Sequence, residues 1–364
     1  MTCTHRHCAS FNSSSLIQER LPMAHQIEQM AYVGDTPWHR LGHRLPARQP
    51  LEVWAQQAGM DWTIQETPVR FMTEGVPAGD DSADGDSFQT LESFAEQKVL
   101  YRSDTRAPLS VVSSRYQVVQ PREVLEFYRD LTEIGGYEME TAGVLKGGRK
   151  VWALARTGQQ TVLKGTDTVN GYLLLATSCD GTLATSVTPT TVRVVCSNTL
   201  AMAVDATSNV IRVPHSTSFD ADAVKRQLGI AIGQWDEFMY RMKTLSQRKV
   251  KTKEALQYIE NVLYGPSELN SADGVNTRPA QPEAASAPRG WAARKVLELY
   301  EGRGRGAELA AAKGTTWGLL SAMTEFVDHE RRARSREYRL DSAWFGQGAA
   351  LKQRALEQAL ALAR

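Results

Sequence analysis

Between residues 98 and 204 extended apolar segments follow one another across short turns, and this run constrains the fold more than any other stretch of the chain. KVLYRS (98–103) and PLSVVSSRYQVV (108–119) read as strands around a turn at 105–108. Pro121 then stands at a helix-start position. Behind it, Val124, Leu125, Tyr128, Leu131 and Ile134 form an apolar helical face that Gly135 and Gly136 close. YEMETAGVL and RKVWALAR pair across Lys146, Gly147 and Gly148. GYLLLATS and TLATSVT pair across Cys179, Asp180 and Gly181, where Asp-Gly is a hairpin signal. TTVRVVCSNTLAMAV ends the series, with Asn198 or Thr199 placed to cap a helix over LAMAV. The order strand–strand–helix–hairpin–hairpin–strand fits an α+β fold: a largely antiparallel sheet with a packed helix in the middle of the chain.

The flanks read differently. Residues 51–60 form a short helix followed by an extended WTIQETPVRFM, and residues 74–90 form an acidic, Gly-rich loop. Asp80, Asp81, Asp84 and Asp86 in that loop lack the spacing of a calcium-binding loop. From 221 onward the chain is helical. Val224, Leu228, Ile232, Trp235, Met239, Met242 and Leu245 mark one long amphipathic helix over 221–247. A short helix through EALQYIENVLY, a linker at 265–290 rich in Pro, Ser and Ala, and helices near 291–300, 316–334 and 347–363 follow. The expected organisation is an extension at 1–22 that is disordered or not native, an α+β domain at 23–220 and a helical region at 221–364. Met23 is the expected start.

Charge separates the two halves. The net charge is +1, but residues 1–224 hold 19 basic against 25 acidic side chains, and residues 225–364 hold 23 against 16. The near-neutral total argues against a wholly basic coat protein. No apolar run is long enough for a membrane span. Four cysteines in 364 residues make no disulfide framework, so reduced thiols in a cytoplasm are expected. Cys3, His5, His7 and Cys8 are soft ligands without a scaffold, and His39 and His43 sit in a turn between Pro37 and Gly42, so no metal and no cofactor is expected. No phosphate-binding glycine loop, dinucleotide motif or nucleophile elbow occurs.

Cationic clusters remain. Lys146, Arg149 and Lys150 surround Trp152 on one hairpin, and Arg156 and Lys164 lie further along. Basic groups that follow phosphates and aromatic faces that stack bases suit a single strand. The nucleic-acid contacts expected are Lys146, Arg149, Lys150 and Arg193 for phosphates, with Trp152 or Tyr116 for stacking. A second cluster, His329 to Arg336, ends the helix beginning at Thr316, where cations complement the helix dipole without any ligand. A third, Gln247 to Lys253, lies between two helices.

Several segments, in order, resemble the phage/plasmid-like protein family built on domain of unknown function 932. They are MAHQIEQMAYVGDTPWHRLG, SSRYQVVQPREVLEF, YLLLATSCDGTLATSV, TPTTVRVVCSNTLAMA, TTWGLLSAMTEFVDHERR and WFGQGAALKQRALEQAL. The resemblance covers about residues 23–364 and implies a protein of prophages, plasmids and genomic islands, with no activity to carry across. Three functions are in view. The first is a non-enzymatic, oligomeric protein that binds or anneals single-stranded DNA in recombination or replication; its order of elements is similar to that of annealing proteins that form rings or filaments. The second is an interaction module for host or phage proteins, such as an anti-defence factor. The third is a hydrolase, which a pocket gathering His39, His43 or His215 with carboxylates would favour.

Overall fold

The computed structural model describes residues 29–364 except 36, 38, 76–87, 134, 196–197, 202–209, 233–234 and 271–287. The expectations for residues 1–22, for Cys3, His5, His7 and Cys8, for the four loop aspartates and for most of the linker lie outside the described residues.

The chain opens with β1 (Met30–Val33), β2 (His43–Leu45) and α1 (Leu51–Gln57). Three strands form a small antiparallel sheet: β3 (Ile64–Gly75), β4 (Phe88–Arg102) and β5 (Pro108–Ser113). Two short helices, α2 (Pro121–Glu126) and α3 (Arg129–Glu133), stand where the sequence places one. Pro121 at the first helical position and a reciprocal Gln120–Glu123 capping box start α2. Then come β6 (Glu138–Leu145), β7 (Lys150–Leu163), β8 (Asp167–Ser178), β9 (Thr185–Arg193), β10 (Asn198–Ala201) and β11 (Ile211–Val213). The main sheet runs β10-β9-β8-β7-β6-β1-β2, with β11 sharing the edge of β9. Among the described residues, only β1 and β2 pair in parallel. The fold is therefore α+β with antiparallel sheets.

Two local readings change. TLATSVT and TTVRVV are one strand, β9, and Pro189 stands between the stretch that pairs with β11 and the stretch that pairs with β10. Asn198 does not cap a helix: residues 198–201 pair with β9, because an extended backbone there completes the sheet edge. The turn at 146–148 forms as expected, with Lys146, Gly147 and Gly148 all at positive φ, a geometry that only glycine adopts freely.

The helical region comprises α4 (Ala221–Ile232), α5 (Trp235–Gln247), α6 (Thr252–Asn270), α7 (Gly290–Glu298), α8 (Thr316–Glu325), α9 (Arg336–Phe345) and α10 (Gln347–Leu362). The stretch expected as a single helix over 221–247 is described as α4 and α5 on either side of residues 233–234, and the two serve different cores. Val224 and Leu228 of α4 pack with α1, α2 and one face of the sheet, whereas Trp235, Phe238, Met239 and Met242 of α5 join α6, α8 and α10. The helix α9 is a further element that the periodicity did not reveal. Its Leu340 and Trp344 pack on the opposite sheet face, against Trp152, Leu154 and Leu174. No described helix is long and apolar enough to cross a membrane.

A buried ion pair fastens the helices to the strands. Asp167 at the start of β8 is fully buried and receives Arg193 Nε at 2.8 Å, Arg193 Nη2 at 2.7 Å and the Trp317 indole N–H at 2.9 Å. Arg193 also donates to the carbonyls of Arg305 and Gly306. Removing one partner leaves an uncompensated buried charge, which costs about 3–5 kcal/mol. Arg193→Met is therefore expected to lower unfolding free energy by that amount in urea titrations, and Asp167→Leu in the same chain to recover part of it. A loss below about 1 kcal/mol for the single variant would show that the pair is solvated.

Candidate functional site

The two faces of the main sheet are covered unequally. Along β7, Val151, Ala153 and Ala155 face α1, α2 and α4, while Trp152, Leu154 and Arg156 face the other way. Tyr128, behind α2, locks the covered face: its hydroxyl lies 2.9 Å from the carbonyls of Ala153 and Leu173 and accepts the Leu175 N–H. On the opposite face α9 shields Trp152 and Leu154, and its cover stops at Trp344. Beyond that point the sheet floor opens into a cleft of about 930 Å³. Leu154, Arg156, Asn170, Tyr172 and Val192 form the floor, Trp344 one wall, and Asp35, Arg48, Glu52, Arg129, Glu133 and Tyr137 stand at the rim.

The central acid of the cleft owes its position to an irregularity. The pairing of β6 with β7 slips between Met139 and Thr141, so Glu140 is an extra residue in the strand. Such a bulge re-aims a side chain that regular alternation would send elsewhere. Glu140 Oε2 accepts a 2.6 Å hydrogen bond from the Tyr172 hydroxyl and lies 3.8 Å from Arg156 Nε. Arg156 Nη2 in turn donates to the Tyr172 oxygen at 3.4 Å. Burial pushes the Glu140 carboxyl above its usual value of 4.5, and the Asp35 and Glu138 charges add to that rise; the Tyr172 and Arg156 contacts oppose it without cancelling it. Burial and the Glu140 charge likewise raise the Tyr172 phenol.

His39 lines the same cleft. Burial lowers its pKa to about 3, so the ring is neutral at physiological pH. Its Nδ1 accepts the Leu41 N–H at 3.1 Å, which places the ring proton on Nε2. Edge contacts at 6.5 and 6.4 Å hold the ring against Trp152 and Trp344. The indole N–H groups of Trp152 and Trp344 are buried with no acceptor among the described residues. At the rim, Arg129 draws in Glu126, Glu52 and Glu133. The cleft thus offers a carboxyl able to take up and release a proton, a phenol, a guanidinium and a neutral imidazole around a partly apolar floor.

The residues expected to contact nucleic acid do not converge. Lys150 is buried with its ammonium 2.6 Å from Asp341, and Lys146 reaches the same carboxylate at 2.8 Å. Both cations neutralise α9 rather than present a charged surface. Arg149 is exposed. Trp152 has no exposed surface and packs on Trp344, so it cannot stack a base. Arg193 is committed to Asp167 in the interior, so it cannot meet a phosphate. Tyr116 is half-buried, stacks on His215 at 4.4 Å and donates to the Ser178 carbonyl. Of the three histidines named from the sequence, only His39 joins the cleft; His43 is exposed on β2 and His215 bridges loop carbonyls. Among the described residues, no group of three His, Cys, Asp or Glu is placed to hold a metal. The acid of the cleft escaped the sequence reading because a one-residue bulge leaves no periodic trace, whereas Arg156 and His39 were visible as candidates of uncertain partnership.

A family model described as a domain of unknown function, DUF932, matches residues 108–344. No curated protein and no solved structure matches the chain. The matched span contains Glu140, Arg156, Asn170, Tyr172 and Trp344, and leaves out the rim at 33–54.

The raised Glu140 carboxyl has a consequence for stability. Between its usual value of 4.5 and its higher value in the fold, the folded state binds more protons than the unfolded chain, so stability falls as pH rises through that window. Glu140→Gln removes this dependence and keeps a polar group facing Tyr172. The difference in Tm between variant and wild type is expected to shift in the variant's favour from about pH 4 to pH 7. A difference that is flat across that range would mean the carboxyl is not held in its neutral form by burial.

Proposed function

The chain belongs to the DUF932 family, a domain of unknown function, and from the geometry of the large cleft we propose that it is an enzyme of a small polar substrate, bound in that cleft, with Glu140 transferring the proton. The observation that carries this reading is the Glu140 carboxyl: set on a β-bulge, raised in pKa by burial and held by Tyr172 at 2.6 Å. A proton-transfer group works best when its pKa approaches the working pH, and burial of a carboxyl moves it in that direction. Arg156 supplies the charge that would hold an anionic or carbonyl oxygen of the substrate, and the Tyr172 hydroxyl fixes the carboxyl's orientation. His39, neutral and buried, supplies a second polar wall. The cleft has the size and mixed polarity of small-molecule sites.

Of the three functions drawn from the sequence, the gathering of His39 with carboxylates supports the enzyme. Single-strand binding at Lys146 and Lys150 would first require Asp341 to release them, and so would displace α9. The test is to incubate wild type and Glu140→Gln with a pooled extract of polar metabolites and follow conversion by mass spectrometry. A substrate–product pair that appears with wild type and slows by about 10²–10⁴-fold in the variant is expected. No conversion by the wild type, or equal conversion by both, would overturn the assignment.

The interaction reading has an observation of its own. Met72 and Leu91, paired across the strands, are exposed together on one face of the β3–β4 hairpin, and Phe71 and Phe94 are exposed on its other face. Exposed apolar side chains in such a group mark contact surfaces more often than single ones do. A second copy of the chain is the simplest occupant. Sedimentation of wild type against Met72→Glu/Leu91→Glu is expected to show a larger species that the variant loses; a monomer in both cases would remove this reading.

A further inference from the structure

A second cleft, of about 210 Å³, shares His39 with the first, and its lining is overwhelmingly cationic. Arg40, Arg305, Arg336 and Arg339 surround it, with His329 and Glu330 completing the wall. Three distant segments bring these arginines together: the loop after β1, the turn between α7 and α8, and the first turn of α9.

Their charge is not balanced from within. Arg305 is paired with Glu325 at 3.0 Å, and Glu330 is drawn to Lys295 at 3.2 Å. Arg40, Arg336 and Arg339 make no ion pair with any described residue. Arg339 Nε is moreover buried without an acceptor. Local helix electrostatics do not account for this either. In the sequence Arg336 reads as the end of a helix, where a cation complements the dipole. In the fold it opens α9, with Ser335 as the N-cap, so Arg336 and Arg339 stand at the positive end of the helix, where cations are disfavoured. Arg40 is held at φ 54°, in the left-handed region that a side chain adopts only at a cost. His329 and Glu330 stand on a wide helical turn, Phe326–Glu330, and such turns recur at functional sites.

We propose that this cleft is a phosphate site, taking one tetrahedral anionic phosphoryl group on the guanidinium groups of Arg40, Arg336 and Arg339. Guanidinium forks match the paired oxygens of phosphate, and cations converging on one concavity concentrate their field on one anion. The volume lies below the roughly 300–1,000 Å³ of sites for drug-sized ligands, so the group bound is the phosphate itself and not the molecule that bears it. That phosphate belongs either to a free or small-molecule phosphomonoester or to a nucleic-acid backbone. The site shares only the His39 ring with the Glu140 cleft, and none of its arginines lines that cleft.

The test is calorimetric titration of the full chain with inorganic phosphate, against potassium chloride at matched ionic strength. The variants are Arg336→Ala/Arg339→Ala and Arg40→Ala, with Arg332→Ala as a control, since Arg332 lies over Trp291 and outside the cleft. Phosphate is expected to bind the wild type, the control and Glu140→Gln alike. Each arginine removed from the cleft is expected to weaken it by about tenfold or more. Arg40→Ala keeps the test open if the double variant fails to fold. Displacement of bound phosphate by a single-stranded oligonucleotide would support the site and name the backbone as its source; displacement only by a small phosphomonoester would support it and name the other. No heat beyond that of chloride, or equal affinity in both cleft variants, would overturn the proposal.

Discussion

The buried carboxylate of Asp167 is the point on which the arrangement of the two halves depends. It takes the Arg193 guanidinium from the neighbouring strand and the Trp317 indole N–H from α8, and Arg193 passes its remaining donors to the carbonyls of Arg305 and Gly306. Buried ion pairs add little net stability, because desolvation offsets much of the attraction, but they tolerate few geometries. Here the geometry sets the 304–306 turn against the sheet edge. Gly306 is at positive φ, and a Cβ there would come within 2.7 Å of Val195 and 3.0 Å of Arg193. Arg305, the next residue back, is thereby delivered to the phosphate cleft.

A second tie acts at the other end of the sheet. Asp341 of α9 gathers Lys146 and Lys150, while Glu337 accepts the Lys146 backbone N–H. These contacts seat α9 over Trp152 and Leu154, and Arg156, Tyr172 and Glu140 lie in the cleft beyond it. The large cleft is the part of the sheet face that α9 does not reach. The small cleft opens at the same helix's first turn, and the His39 ring borders both. One helix position therefore borders two clefts of different chemistry: a buried carboxyl held by a phenol in one and a cluster of arginines in the other.

Much of the fold was legible in the chain itself. Period-two apolar segments, Pro121 at a helix start and the glycines at 147 and 148 each act within a few residues, so β6, β7, β8 and α2 follow from local rules. The misreadings share a cause. The helix α9 buries only Leu340 and Ala343 fully, too few to mark a period, and its opening arginines read as the tail of the helix before it. Lys150 reads as a phosphate ligand because its partner, Asp341, lies 191 residues away. Trp152 reads as a stacking face because nothing nearby shows that Trp344 covers it.

The sequence by itself determined the class of fold, the antiparallel pairing in the middle of the chain and the helical character of the C-terminal part, because propensity, alternation and turn chemistry are short-range. Only the tertiary structure decided which charges were neutralised and which were left facing a cleft. Charge pairing depends on separations of a few ångströms between residues far apart in sequence, and a one-residue bulge such as that at Glu140 changes the direction of a side chain without changing the pattern that surrounds it.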